Sequence, residues 1–426
     1  MQTTRWYLAF LLANAAAGGM SLLLPLYAHY LGGTAAAVGT ISAVGSLVGV
    51  GASLLWGRIS DRTRRRRWFV VLSFSGIGVV YCLLPLINTV SGLVGVGATA
   101  SFFWMASSVV SVLLIMERFP KVDWEREIGR LNAYSGFGWA IGQALGAAWI
   151  GGLTGLLGEG PGLKSFGVTA GVLALAGAGV AALSLPEAVQ RVKRRDFRGT
   201  MVAVGTFLYE RFRYGPAHLY YLIRPSQVLR FLQGRTAFGP DLVLFYYGAF
   251  LIMAAFSLFF VPLPVFLRQE LDWPSSLVYA AYTVHTLTSV IAYRWARVAI
   301  ARWGHRPVLG VGLFGRAAAF ALFALTGRPL PGWSAVPLFL LTGVTWAAFQ
   351  LSATSIVSRL APAELKGQAL GAYNALTGLG GVVGALVGGF LADSLGFPTA
   401  FLVAAAVVLL TIPVVMVETR PLAKEG

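Results

Sequence analysis

The chain has 426 residues, of which 57% are hydrophobic and 12% charged, with a formal net charge of +17. A soluble domain carries about 25% charged residues, so most of this surface does not face water, and a water-soluble enzyme or binding domain is excluded. The single cysteine, Cys82, excludes an intrachain disulfide and a metal site built on thiolates.

Apolar stretches long enough to cross a hydrocarbon core of roughly 30 Å follow one another along the chain. They run at 6–31, 36–57, 68–88, 90–116, 128–157, 165–185, 242–268, 274–296, 307–326, 332–357, 366–393 and 397–417. In lipid the backbone must satisfy its own hydrogen bonds, so each is predicted as a helix. Near-continuous apolar runs are not the alternating short strands of a membrane barrel. The first run is too long for a secretory signal and lacks a small-residue cleavage site, so it is expected to be retained.

The basic residues lie between these spans and favour alternate sides. With twelve spans and the N-terminus inside, the cytoplasmic connections hold Arg58, Arg62, Arg64, Arg65, Arg66 and Arg67, then Arg118, Lys121, Arg126 and Arg130. They also hold the bases of a long central segment, then Arg294, Arg297, Arg302, Arg306, Arg359 and Lys366. The other side has only Lys164, Arg268 and Arg328. This asymmetry puts both termini in the cytoplasm of a cell-membrane protein. It also explains the basic charge without a nucleic-acid partner.

The central segment, 186–241, combines Arg191, Lys193, Arg194, Arg195 and Arg198 with an aromatic-basic stretch from Phe207 to Tyr221. It reads as a linker lying on the anionic inner leaflet through snorkelling arginines and interfacial aromatics. The alternative is a regulatory amphipathic helix.

Shifting the chain by 239 residues superimposes rare residues. Pro25 meets Pro264, Trp56 meets Trp295, Arg58 meets Arg297, Tyr134 meets Tyr373, and Gly76 and Gly142 meet Gly315 and Gly381. The repeat lays spans 1–6 on spans 7–12 in the same orientation. The expected architecture is therefore all-α: a first six-helix bundle over 1–185, the linker 186–241, and a second bundle over 242–426. Parallel repeats of this kind form one group of secondary transporters.

Between spans 2 and 3 the chain reads Gly57-Arg58-Ile59-Ser60-Asp61-Arg62-Thr63-Arg64-Arg65-Arg66. This resembles the G-x-L-x-D-R-x-G-R-R signature of the major facilitator superfamily, with Arg64 in place of the usual glycine. The resemblance covers essentially the whole chain. It implies alternating access by two rocking bundles, no cofactor, no enzymatic activity and a monomer. It also implies a conformational gate at Gly57, Asp61, Arg62, Arg65 and Arg118. Asp61 would accept hydrogen bonds from the start of span 11, near Lys366 and Gly367, where the helix dipole favours an anion. The alternative is that these are solvated loop charges. The second-half counterpart, through Gly304-His305-Arg306, has lost the acid.

Span 5 carries Gly138-Trp139-Ala140-Ile141-Gly142-Gln143-Ala144-Leu145-Gly146. It resembles a signature of proton-coupled drug antiporters, with Gln143 at the proline position. Span 11 has a similar run at Gly380, Gly381, Gly384 and Gly388. Gly19 and Pro25 of span 1 resemble another efflux signature. These tilt the expectation toward export of amphipathic compounds, although glycines at this spacing also form grooves for helix packing.

Polar groups at membrane depth mark pathways. No Asp or Glu falls near a midplane, which leaves His285 as the candidate for proton coupling unless it is a neutral packing residue. Arg316 is the intramembrane charge, either a substrate anchor or, on a peripheral span, a structural bridge. Further cavity candidates are Asn14, Trp104, Gln143, Tyr246, Tyr282, Trp346, Gln350 and Asn374. Such a site is aromatic and amide-rich with little fixed charge.

The leading expectation is thus efflux of lipophilic small molecules, with protons as the coupling ion. The alternative within the same architecture is uptake of a neutral solute by symport or uniport. The alternative of another class is a receptor or scaffold working through the basic linker. A membrane enzyme is disfavoured, because the spans hold no His-Glu-x-x-His, Walker loop or paired carboxylates.

Overall fold

The computed structural model describes residues 5–63, 65–120, 123–185, 239–327, 329–361 and 366–416. The linker expectation for 186–241 falls almost wholly outside the described residues. Twelve helical spans follow in order: α1 Arg5–Tyr30, α2 Ala35–Thr63, α3 Arg66–Cys82, α4 Val90–Arg118, α5 Trp124–Leu157 and α6 Glu159–Ser184. The second set is α7 Pro240–Phe260, continued after a break as Leu263–Gln269, then α8 Ser275–Trp303, α9 His305–Phe323, α10 Ala335–Leu360, α11 Lys366–Leu395 and α12 Phe397–Met416. Apart from these, the described residues form two short 3-10 helices, Leu84–Leu86 and Gly332–Ser334, and an isolated bridge between Thr326 and Leu330.

The helices differ from the expected spans at both ends: on the outer side α3 stops at Cys82 and α6 begins at Glu159, each six residues from the expected bound. α2 runs six residues beyond the apolar stretch, to Thr63, so the basic motif is largely helical rather than a loop. Arginine is a good helix former, so the helix continues through the first seven residues of the motif before it ends at Thr63. At the outer ends, Gly158 and Gly396 take φ of 85° and 86°. They turn α5 into α6 and α11 into α12 in a conformation that disfavours other residues.

Eleven of the helices are as long and apolar as a membrane span requires. The exception is α8, which is long enough but carries Tyr282, Thr283, His285, Thr286 and Ser289 in its central turns. A span this polar is tolerated where its polar side faces protein or a cavity.

The internal repeat is visible in the packing. In the first bundle α1 packs on α5 and α6, α2 on α4, and α3 on α4 and α6. In the second, α7 packs on α11 and α12, α8 on α10, and α9 on α10 and α12. Each pair in one bundle has its counterpart in the other. The bundles then meet along two main seams, α2 with α11 and α5 with α8.

Glycine makes the closest of these packings possible. Gly138 and Gly142 of α5 lie on the backbone of α1 at Leu11 and Ala15. Gly380, Gly384 and Gly388 of α11 lie on the backbone of α7 at Phe250, Ala254 and Leu258. Close backbone approach raises van der Waals contact, the main source of helix association in lipid. Both glycine runs that suggested export are therefore equivalent packing grooves.

Polar bridges brace the first bundle near the cytoplasm. Arg66, nearly buried, donates from Nε (3.1 Å) and Nη2 (2.9 Å) to Glu117 Oε1. Its Nη1 bonds Ser60 Oγ, so one side chain ties α2, α3 and α4. Tyr7 donates to Glu127 at 2.5 Å, and Arg130 reaches the same carboxylate at 2.8 Å, tying α1 to α5.

The grooves generate a prediction. Gly142→Leu would drive a side chain into the Ala15 carbonyl and is expected to destabilise by at least about 1–3 kcal/mol, the usual cost of overpacking. Gly152→Leu, at a position with open space, is expected to leave the melting temperature in detergent within error of wild type. Equal melting of the two variants would contradict the groove.

Candidate functional site

The two seams close on the extracellular side. At the outer end of α11, Asp393 accepts from the backbone N–H of Ala35 (2.9 Å) and of Ala36 (3.0 Å). One bundle thus supplies the carboxylate that caps the first turn of a helix in the other, where the dipole favours an anion. Gly39 and Gly389 let the two backbones meet just below. On the second seam, Glu159 accepts from Arg268 Nη2 (2.8 Å) and Ser275 Oγ (2.6 Å). Tyr279 of α8 donates to the Gly19 carbonyl of α1 at 2.7 Å, over a gap that Gly146 leaves for its ring.

Toward the cytoplasm the contacts thin out. Gly378 reaches Val50 only at 4.0 Å, and Gly371, Gly51, Gly136 and Gly129 have open space where a Cβ would lie. Among the described residues, the hydrogen bonds and the ion pair that cross between the bundles lie at the outer end and at mid-depth.

Between these levels runs a connected set of polar and aromatic groups. Gln143 of α5 is buried at the seam. With its amide oriented to satisfy both ends, it donates to Thr286 Oγ1 (2.7 Å) and the Tyr282 carbonyl (3.1 Å) and accepts from Trp139 Nε1 (3.2 Å). Tyr282 points its hydroxyl at the Phe260 carbonyl, 3.4 Å away. The Phe260 ring stands 5.5 Å from the His285 imidazole. His285 Nδ1 is 3.0 Å from Thr342 Oγ1. Because Thr342 gives its hydroxyl hydrogen to Phe339 O, Nδ1 is the donor in that contact.

Arg316 is fully buried. Its Nη2 donates to Thr342 O (2.7 Å) and its Nε to Thr345 Oγ1 (3.2 Å). The guanidinium lies 4.3 Å from the Phe256 ring centre, with Phe260, Phe320 and Trp346 at 5.3, 5.8 and 5.6 Å. None of the described ion pairs includes it. The charge is held by π faces and hydroxyl and carbonyl oxygens, and it reaches inward from α9 to α7 and α10.

The structure thus brings together Gln143, Tyr282, His285, Arg316 and Trp346. Gln350 is half-buried and Asn374 exposed on the neighbouring α10 and α11. Trp104 packs against the hydrophobic core. Asn14 is buried and donates to Phe10 O of its own helix. Tyr246 is closed between α7 and α11, its hydroxyl on Ala369 O at 2.8 Å. Sequence reasoning missed the threonines 286, 342 and 345. The spacing of Thr342, Thr345 and Trp346 on one helix face was the available signal.

Of the expected gate, Gly57 is half-buried while Arg65 and Arg118 are exposed. The side chains of Asp61, Arg62 and Lys366 lie outside the described residues. Among the described motif arginines, Arg66, given no role of its own, is the one built into the bundle.

Two equivalent six-helix bundles, closed on one face around a polar path at mid-depth, define a secondary transporter of small molecules in the cell membrane, not an enzyme. The chain belongs to the Major Facilitator Superfamily, whose model matches residues 6–383 and 245–426. A variant of the nucleoside transporter NupG has a similar structure, with TM-score 0.74 and 14% identity over 98% of this chain and 99% of that one. A POT family transporter in complex with 5-aminolevulinic acid gives 0.75 and 11% over 97% and 94%. A variant of the peptide transporter POT gives 0.75 and 14% over 97% and 93%. At these identities the likeness is one of fold.

The expectation of amphipathic efflux is corrected. Two of these structures are named as a nucleoside transporter and a peptide transporter, and the two glycine runs that suggested export are the packing grooves described above. Gln143, at the proline position of the antiporter signature, instead makes a polar contact across the seam.

That contact yields a prediction. Gln143→Leu removes the α5–α8 hydrogen bonds, each worth about 1 kcal/mol net. It is expected to raise the outward-open population several-fold, read by spin-label distances between the outer ends of α1 and α7. An unchanged distance distribution would assign Gln143 to packing alone.

Proposed function

We propose that this transporter takes up a small, polar, uncharged or zwitterionic organic solute by alternating access, as a proton symporter or a uniporter. The observation that carries the reading is the connected path at mid-depth. It presents amide, hydroxyl, imidazole and aromatic groups and no described carboxylate. Such groups recognise hydrogen-bonding solutes with planar or apolar parts and hold inorganic ions poorly. The nucleosides, peptides and 5-aminolevulinic acid named with the similar structures are solutes of this broad kind, which supports the reading. Trp346, Tyr282 and Gln350 would contact the solute. Asn14, Trp104, Tyr246 and Asn374 remain weaker contact candidates.

His285 is the proposed coupling group, because it is the one described histidine at mid-depth. His29 and His305 sit at helix ends. A proton on its second nitrogen would add a charge beside Arg316, an unfavourable pairing unless the solute brings a compensating group. Binding and protonation would then favour each other.

On the cytoplasmic side Asp61 is proposed to close the path in the outward-open state by accepting from the start of α11. Gly57 would allow the approach, with Arg62, Arg65 and Arg118 around it.

Uptake of labelled nucleosides, short peptides and amino acids into proteoliposomes tests the reading. Accumulation of at least one class, abolished by Trp346→Ala, is expected; transport confined to lipophilic cations would refute it. With that solute, His285→Gln is expected to keep exchange but lose acceleration by an inward proton gradient. Asp61→Asn is expected to insert normally and lose net transport. Deleting 195–230 is expected to leave flux intact, whereas a scaffold working through the linker would lose its function.

A further inference from the structure

The cytoplasmic end of the second bundle holds a cavity that the transport path does not use. It encloses about 240 Å³ where α9 begins and α10 ends, lined by His305, Arg306, Arg359, Ile356 and Leu360 among others. That is below the roughly 300–1,000 Å³ of a usual small-molecule pocket. Among the described residues, the lining has three basic side chains and no acidic one.

The internal repeat gives the reason. The offset of 239 residues lays His305 on Arg66, Arg306 on Arg67 and Ile356 on Glu117, and α9 begins at His305 as α3 begins at Arg66. In the first bundle Arg66 is paired with Glu117, and Arg67 donates to the Ala182 carbonyl near the end of α6. The second bundle keeps the latter contact: Arg306 Nη1 donates to the Met416 carbonyl at the end of α12, 2.7 Å away. The former contact is gone. The glutamate has become an apolar wall, and the buried Nδ1 of His305 has no hydrogen-bond partner. Arg359 adds a charge where the first bundle has Pro120. No side chain caps the first turn of α9, so its partial positive charge adds to the same field.

We propose that this cavity binds a phosphate group, whose oxygens take the place that Glu117 fills in the first bundle. A rotation of the His305 ring brings its buried Nδ1 to the phosphate, and Arg359 closes over it from the α10 end. The cavity lies at the level of the cytoplasmic headgroups, where basic pockets between helices meet anionic lipid. An anionic phospholipid and free phosphate offer the same chemistry. This site is independent of the solute path.

The test is thermal unfolding of the full chain in lipid-free detergent with added inorganic phosphate, phosphatidylglycerol or phosphatidylcholine. Stabilisation by phosphatidylglycerol alone identifies a lipid headgroup site, and stabilisation by inorganic phosphate as well identifies a general phosphate site. Ile356→Glu restores the missing acid and Arg359→Gln removes the exposed base. Each is expected to weaken the response by about tenfold or more, near 1.4 kcal/mol. The proposal fails if neither phosphate source stabilises the wild type, if phosphatidylcholine does so equally, or if Arg359→Gln responds as wild type does. Arg359→Gln carries the test should Ile356→Glu not fold.

Discussion

Alternating access requires that the two bundles be held firmly enough to seal one face and loosely enough to part. The outer seams meet that constraint with side chain-to-backbone and ion-pair contacts at the membrane edge. Asp393 caps α2 from the opposite bundle, and Glu159 binds Arg268 and Ser275. The charged groups, Asp393, Glu159 and Arg268, are each at least partly exposed, so each contact contributes of order 1 kcal/mol or less. The glycine grooves inside each bundle are different in kind. They bring backbone against backbone over successive turns of α1–α5 and α7–α11.

Much of this was legible in the sequence because lipid removes alternatives. Without water to satisfy a backbone, twenty apolar residues must form a helix, and the bias of arginines sets its direction. The repeat was legible through rare residues such as Pro25 and Trp56, and the packing pairs reproduce it. The cross-seam contacts were not legible. Asp393 looks like any acid at a helix end until α2 is placed beside it, and Gln143 marked a mid-depth polar group without revealing its partner. Arg66 fitted the motif as well as Arg65 did; only the position of Glu117 makes one buried and the other exposed. The side of the membrane from which solute enters is less legible still, because glycine at a spacing of four serves packing in any transporter of this shape.

α8 shows how a functional helix can be weak in the signal that finds helices. Its central turns spend polar residues on α5 and α10 rather than on lipid, and its hydropathy falls accordingly. The same trade places Thr342 between His285 and Arg316. One threonine thereby offers its hydroxyl to an imidazole and its carbonyl to a guanidinium. A change of charge at either partner is felt by the other through that residue.

The bundles share a plan but not an electrostatic balance. The described buried charges of the first bundle sit against partners: Arg66 against Glu117, and Glu127 between Tyr7 and Arg130. In the second bundle Arg316 has no described acid beside it, and burying an unpaired cation is expensive. Its aromatic cage and threonine oxygens offset part of that cost. The remainder makes this bundle the more attractive face for an electron-rich group. A solute with a carbonyl, a heteroaromatic nitrogen or a carboxylate should therefore orient that end toward α7–α10. On the proposed uptake reading, its apolar or cationic part would lie toward α1–α5.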